Sequence, residues 1–297
     1  MSDIILPSVF AIGFITGCEK DITVDLPQAE SKIVIEGAIE QGEYPSVFVT
    51  RNAAYFDPVD STTLANMVVR DAIVIVSNGT ISDTLALGID FFTVPFLKYY
   101  GTKFTGEVGK RYYLTVQVDG KSYTSGTTIP QPVELDSLVF RETEDAGVDN
   151  AGMMWLYFQD PDTLGNYYRY FTKTIGKDNI FVHPLASASD DKLANGQYIE
   201  FVCYRGWNPN LTEEQREQEL EELGDIPWWA YVRGETVVMK FCTIDAAHYQ
   251  FWRTIELQNS TDGNPFASPI TVYTNIEGGA LGVWGGYGVF LDTLVIE

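Results

Sequence analysis

The chain is short of the residues that most often do chemistry. Among 297 residues there are two histidines, three cysteines and five methionines. His183 and His248 lie far apart, and neither neighbours another ligand at metal spacing, so there is no zinc motif. No Gly-x-Ser-x-Gly elbow is present. The one trace of a phosphate loop, Gly120-Lys121-Ser122, lacks the first glycine of that motif because Thr115 stands there. We therefore expect no catalytic residue, no metal and no cofactor. Positive charge is scarce as well: 19 Lys and Arg against 41 Asp and Glu give a formal net charge of −22. Such a surface repels a phosphate backbone, and no basic stripe relieves it, which excludes nucleic acid as a partner. Electrostatic adhesion to anionic lipid is excluded on the same ground. Long apolar runs are also missing. The run from Leu6 to Gly17 falls short of the ~20 residues of a membrane span and contains Pro7.

That run ends in Ile15-Thr16-Gly17-Cys18. An apolar stretch closed by a small residue and a cysteine is what bacterial lipoprotein processing reads: the thiol is acylated and the chain is cut before it. Residues 1–17 are expected to be the signal peptide, although Met1-Ser2-Asp3 lacks the usual opening positive charge. Cys18 is then the lipidation site and the membrane attachment. Residues 18–31 are charged and lack sustained periodicity, and so read as an acidic tether.

From residue 32 the pattern has period two. Ile33-Val34-Ile35-Glu36-Gly37, Ser46-Val47-Phe48-Val49, Ile73-Val74-Ile75-Val76 and Tyr112-Tyr113-Leu114-Thr115-Val116 read as strands. Asn78-Gly79 and Asp119-Gly120 read as hairpin turns. Pro130-Gln131-Pro132 interrupts ladder pairing and marks a join. Beyond it the strands are longer and more aromatic, as in Trp155-Leu156-Tyr157-Phe158 and Tyr167-Tyr168-Arg169-Tyr170-Phe171. Two helices interrupt this part. One, near 212–223, opens on the capping pair Thr212 and Gln215, stops at Gly224, and is too polar to be buried. The other, near 245–258, is amphipathic through Tyr249, Trp252 and Ile255. Ser268 to Ile276 reads as a further strand, followed by a glycine-rich stretch and a closing strand from Phe290. The expected fold is all-β with two domains: an immunoglobulin-like or transthyretin-like sandwich over 32–130, and a larger β-sandwich or barrel-like domain over 133–297. The second carries one packed helix and one exposed acidic helix.

Candidate site residues are few. Cys203 and Cys242 sit in apolar strands and either form a disulfide or serve as reduced core residues. Trp207, Trp228, Trp229, Tyr231, Trp284 and Tyr287 are candidates for ligand binding, with filling of an aromatic core as the other reading. Trp155 and Trp252 are assigned to the core. Asp160, Asp162 and Asn166 have oxygen ligands at roughly calcium-like spacing, but an Asx-stabilised turn accounts for them better. Thr84, Ser137, Thr163 and Thr293 each follow Asp and precede an apolar residue, which resembles the O-glycosylation acceptor of exported Bacteroidota proteins.

Several segments together resemble a Bacteroidota family of outer-membrane lipoproteins known as a domain of unknown function. They are Cys18-Glu19-Lys20-Asp21 with Asp25-Leu26-Pro27, then Ile33 to Gly37, Tyr55-Phe56-Asp57-Pro58, Tyr123 to Pro130, and Asn275 to Tyr287. Members are typically encoded beside TonB-dependent receptors. The resemblance implies a cell-surface lipoprotein of the outer membrane, an accessory subunit that captures or gates substrate for such a receptor. It implies no catalytic residue. The alternatives are a surface hydrolase of glycans or peptides and an adhesion or envelope-structural module. The ligand, whether small molecule, glycan or peptide, is left open.

Overall fold

The computed structural model describes residues 31–52, 67–93, 96–208, 210–261, 268 and 270–297. The expected signal peptide, Cys18 and all of the tether except Ser31 lie outside the described residues, as does Tyr55 to Pro58.

The protein is an all-β, multi-sheet sandwich. The first half supplies β1 (Ile33–Glu40), β2 (Ser46–Arg51), β3 (Ile73–Ser77), β4 (Ser82–Thr84), β5 (Ala86–Ile89), β6 (Leu97–Tyr100), β7 (Arg111–Val118) and β8 (Lys121–Thr128). The second supplies β9 (Ser137–Glu142), β10 (Ala151–Gln159), β11 (Tyr167–Thr174), β12 (Ala188–Asp190), β13 (Tyr198–Cys203), β14 (Tyr231–Val232), β15 (Thr236–Ile244) and β16 (Leu281–Val295). Helix α1 (Glu213–Leu223) precedes β14, and α2 (Ala246–Thr261) follows β15.

An eight-stranded sheet runs β12-β11-β15-β16-β1-β2-β6-β5. Two four-stranded sheets accompany it, β4-β3-β7-β8 and a second of β13-β10-β14 with β9 on β10. Period-two alternation gives the large sheet two unlike faces. On one face Ile33, Ile35, Val47 and Val49 meet Val74, Val76, Leu114 and Val116 in a first core. On the same side Tyr168, Tyr170, Met239 and Phe241 meet Met154, Leu156 and Phe158 in a second core. Each such buried side chain contributes roughly 1.5–3 kcal/mol of transfer free energy.

The halves expected as separate domains meet in the large sheet. β16 pairs in parallel with β1, from Val34–Leu281 to Glu40–Tyr287. It then pairs antiparallel with β15, from Thr243–Gly288 to Thr236–Val295. Residues 31–297 accordingly form one compact unit. The join at Pro130–Pro132 separates two hydrophobic cores rather than two bodies.

The glycine-rich stretch is the first half of β16, not a connection, and residues 268 and 270–276 form no strand. Small residues are needed there because other parts press on the strand. Gly37 lies opposite Trp284, and a Cβ on it would come within 2.8 Å of the indole. Gly288 lies under the Pro130 carbonyl, 2.2 Å from where its own Cβ would stand.

Of the two readings open for Cys203 and Cys242, the structure has the reduced one: both are free and buried. Cys203 belongs to the second core, whereas Cys242 alternates with Phe241 on β15 and joins a cluster with Ile244, Tyr249 and Tyr287 on the opposite face. The sheet itself stands between the two thiols.

Both helices form where expected. Thr212 Oγ1 accepts from Gln215 N at 3.2 Å and Gln215 Oε1 accepts from Thr212 N at 3.0 Å, closing the capping box of α1. No residue of α1 is buried. In α2 the side chains of His248, Tyr249 and Phe251 are buried against the sheet. Asp245 caps α2 by accepting from His248 N at 2.8 Å, and its other oxygen accepts from Thr127 at 2.6 Å.

Candidate functional site: a cleft on the open face of the large sheet

The face of the large sheet turned away from both cores carries charge. β1 presents Glu36, Ala38 and Glu40, β2 presents Ser46 and Phe48, and β6 presents Lys98. β11 and β15 add Arg169, Phe171 and Lys240. Helix α2 covers part of this face and leaves a cavity of about 60 Å³ lined by Glu36, Ser46, Phe48, Lys98, His248, Trp252 and Tyr287.

Arg169 organises the covered side. The residue is 2% exposed, and its guanidinium has no carboxylate in direct contact. It donates through Nε to Ser187 Oγ at 3.0 Å and through Nη1 to the Tyr287 hydroxyl at 2.9 Å. Ser187 in turn donates to Glu256 of α2 at 2.6 Å, so negative charge reaches the arginine through one hydroxyl. The guanidinium stacks on Trp252 with 3.4 Å to the ring centroid. Nη2 of Arg169 and Nε1 of Trp252 have no hydrogen-bond partner.

The histidines beside it are held neutral. Burial and the Arg169 charge push the His248 imidazole down to about 3 and that of His183 to about 4. His248 lies flat on β16 because residue 285 is glycine: a Cβ there would sit 2.2 Å from the ring. The Tyr287 hydroxyl, buried between Arg169 and His248, is shifted upward by desolvation.

On the open side the charges differ in how they are matched. Lys240 pairs with both oxygens of Glu40 at 2.6 Å and is ringed by Phe171, Phe181 and Tyr287. Glu36 and Lys98 line the same cavity yet form no ion pair with each other or with any other described residue. Solvent reaches Glu36, but the protein crowding it raises its carboxyl above the usual range. Desolvation lowers the Lys98 ammonium, against the pull of Asp90, Glu36 and Glu40. Lys98 lies over the Phe48 ring at 4.7 Å.

The hairpin that carries Lys98 also carries exposed apolar side chains. Ile89, Phe91, Phe92 and Phe96 are 56–76% exposed. The Phe92 carbonyl accepts from the Asn210 side chain at 3.2 Å, which ties the hairpin to the second half of the chain.

The aromatics singled out from sequence divide three ways. Trp284 and Tyr231 are fully buried and structural. Tyr287 lines the cleft. Trp207 and Trp228 meet edge to face at 5.8 Å, with Arg216 of α1 over Trp207, in a separate shallow groove beside α1. Trp229 packs edge to face on Tyr204. Trp252, assigned to the core, is half-buried and lines the cleft. Trp155 is likewise half-buried, under Arg141.

The Asp160 loop is tied to its neighbours by acidic side chains, with Asp191 accepting from Gly165 N and Asn166 N. Asp160 accepts from the Tyr168 hydroxyl and from Gly196 N, and Asn166 Nδ2 donates to Thr163 O at 2.6 Å. Among the described residues no group of three acidic, histidine or cysteine side chains is placed to hold a metal ion. Thr84, Thr163 and Thr293 are exposed and Ser137 is half-buried. Asp83, before Thr84, is buried and accepts from Thr102 N and Lys103 N.

A family model described as Domain of unknown function (DUF4249) matches residues 19–291. The chain belongs to this family. The match takes in every strand of the DUF4249 protein except the end of β16, so all of the cleft falls within it. A search of curated proteins finds no match. Of the cleft residues, only Tyr287 was among the candidates. Arg169 and Glu36 entered the sequence reading only as members of strand segments. A single Arg in the run Tyr167 to Phe171 was the available signal, since an alternating strand places it opposite Tyr168 and Tyr170.

Proposed function

We propose that this DUF4249 protein is a surface-exposed lipoprotein of the outer membrane, anchored at Cys18, that captures or gates substrate for a TonB-dependent receptor. The observation that carries capture is the cleft, where two opposite charges without ion-pair partners face one cavity. Sites that orient a ligand combine apolar walls with a few placed polar groups, and Phe48, Trp252 and Tyr287 supply the walls. Anchoring rests on Ile15-Thr16-Gly17-Cys18, and the receptor partner on the resemblance to lipoproteins encoded beside such receptors. The exposed phenylalanines of the Lys98 hairpin offer the apolar surface that a protein partner covers.

Of the carboxylates on this face, Glu40 is already held by Lys240. The test is purification of the lipoprotein from its native outer membrane in mild detergent. A stoichiometric β-barrel receptor in the eluate supports the reading, and a lipoprotein recovered alone counts against it.

A further inference from the structure

We propose that the cleft recognises a zwitterion, the α-ammonium and carboxylate of a free amino acid, with Glu36 taking the ammonium and Lys98 the carboxylate. This rests on the capture reading of the same cleft and gives it a substrate class.

The argument begins with mismatch. Ion pairs are common on this protein: Arg51 with Asp119, Lys110 with Glu107, Arg141 with Glu200, Lys240 with Glu40. Glu36 and Lys98 lie on one cavity, carry opposite charges, and are not within ion-pair distance of each other. Lys98 is half-buried and desolvation disfavours its ammonium, whereas solvent reaches Glu36, whose carboxyl is nevertheless shifted up. Their surroundings give little back. Lys98 has the faces of Phe48 and Tyr100, and Glu36 has the distant charges of Arg169 and Lys98. A ligand bearing only a cation would leave the ammonium unmatched, and one bearing only an anion would leave the carboxylate so. A molecule carrying both relieves both.

Size points the same way. A buried water needs at least ~10–15 Å³ of such space, so a cavity of about 60 Å³ has room for roughly four to six heavy atoms. The nitrogen, α-carbon and carboxylate of an amino acid are five. Ligand side chains would lie outward along Phe48 and Trp252, which are half-buried.

The test is isothermal titration calorimetry on the full-length purified protein with three probes. L-Leucine carries both charges, L-leucinamide lacks the carboxylate, and N-acetyl-L-leucine lacks the ammonium. We expect L-leucine to bind and each single-charge probe to bind at least tenfold more weakly, since one charge-assisted contact is worth about a factor of ten. Glu36→Gln and Lys98→Met are each expected to weaken L-leucine at least tenfold while keeping the wild-type melting temperature. No binding of L-leucine, equal binding of all three probes, or unchanged affinity in either variant would overturn the proposal. The outcome is independent of the co-purification experiment. A barrel partner with no amino-acid binding removes the ligand class alone, and amino-acid binding with no barrel removes the transport role alone.

Discussion

The guanidinium of Arg169 lies 3.4 Å from the centroid of the Trp252 indole, and this contact joins β11 to α2 across the buried side of the cleft. Planarity is what the contact uses, because the same group also donates edgewise to Ser187 and Tyr287. A lysine keeps the charge but loses the stack and one of the two donations. Arg169→Lys is therefore expected to cost about 1–2 kcal/mol, and Arg169→Ala about 2–4 kcal/mol by leaving buried hydroxyls unmatched. Urea unfolding of the two variants checks this, and equal, near-zero losses would show the stack to be incidental.

Gly285 gives a sharper case. Its missing side chain is the seat of the His248 ring. Gly285→Ala must push α2 off the sheet, with an expected loss of about 1–3 kcal/mol from overpacking. Removing the ring restores the space, so in the pair Gly285→Ala with His248→Ala the two losses should not add. A double-mutant cycle on unfolding free energies reads the coupling; additive losses would refute the packing account.

The cysteines predict a labelling pattern. Burial raises the Cys203 thiol well above its ordinary value and raises the Cys242 thiol to about 12. Neither thiolate nor access is available in the folded protein. Iodoacetamide without reductant should leave both unmodified in buffer and modify both in denaturant. Peptide mass mapping distinguishes this from a disulfide, which would protect them in both conditions.

Acid should weaken the fold before the ordinary carboxylates titrate. His248 and His183 stay neutral in the folded protein down to about 3 and 4, against an ordinary value of 6.5. Between those values the unfolded chain binds more protons, so stability rises with pH, is complete above 6.5, and is lost on acidification. The raised carboxyls of Glu36 and Glu256 act in the opposite sense. The melting temperature is expected to fall from pH 7 to pH 5, less steeply in His183→Gln. Histidine ring protons should show no titration in the folded protein over that interval; if they titrate near 6.5, the account fails.

The hairpin phenylalanines separate partner binding from folding. Phe91→Ser and Phe92→Ser change exposed side chains, so stability should stay within about 0.5 kcal/mol. Co-purification of a receptor should fall in the double variant. Retention of the receptor at wild-type stoichiometry would place the contact elsewhere.

Local features were the legible ones. Asp119 and Gly120 both adopt positive φ, at 52° and 72°, and close the β7–β8 hairpin as their identity demands. The Thr212–Gln215 capping box was written in four consecutive residues. Asn78 turns β3 into β4 by accepting from Thr80 N and Ile81 N. The cleft was not legible, because its members come from β1, β2, β6, α2 and β16, and alternation tells a side chain's face but not what faces it. Trp284 shows the same limit from the other side. Its sequence left ligand binding and core filling both open, and Gly37, some 250 residues earlier, makes the space that buries it.

The pairing of β1 with β16 also sets an order of events. β1 is the first described strand, and its parallel neighbour consists of residues 281–287. Until residues 281–287 dock, that edge of β1 and the matching edge of β15 stay open. Contacts that close so large a loop form slowly. The main sheet is therefore the last part of the fold to become whole, a thread drawn tight by its far end.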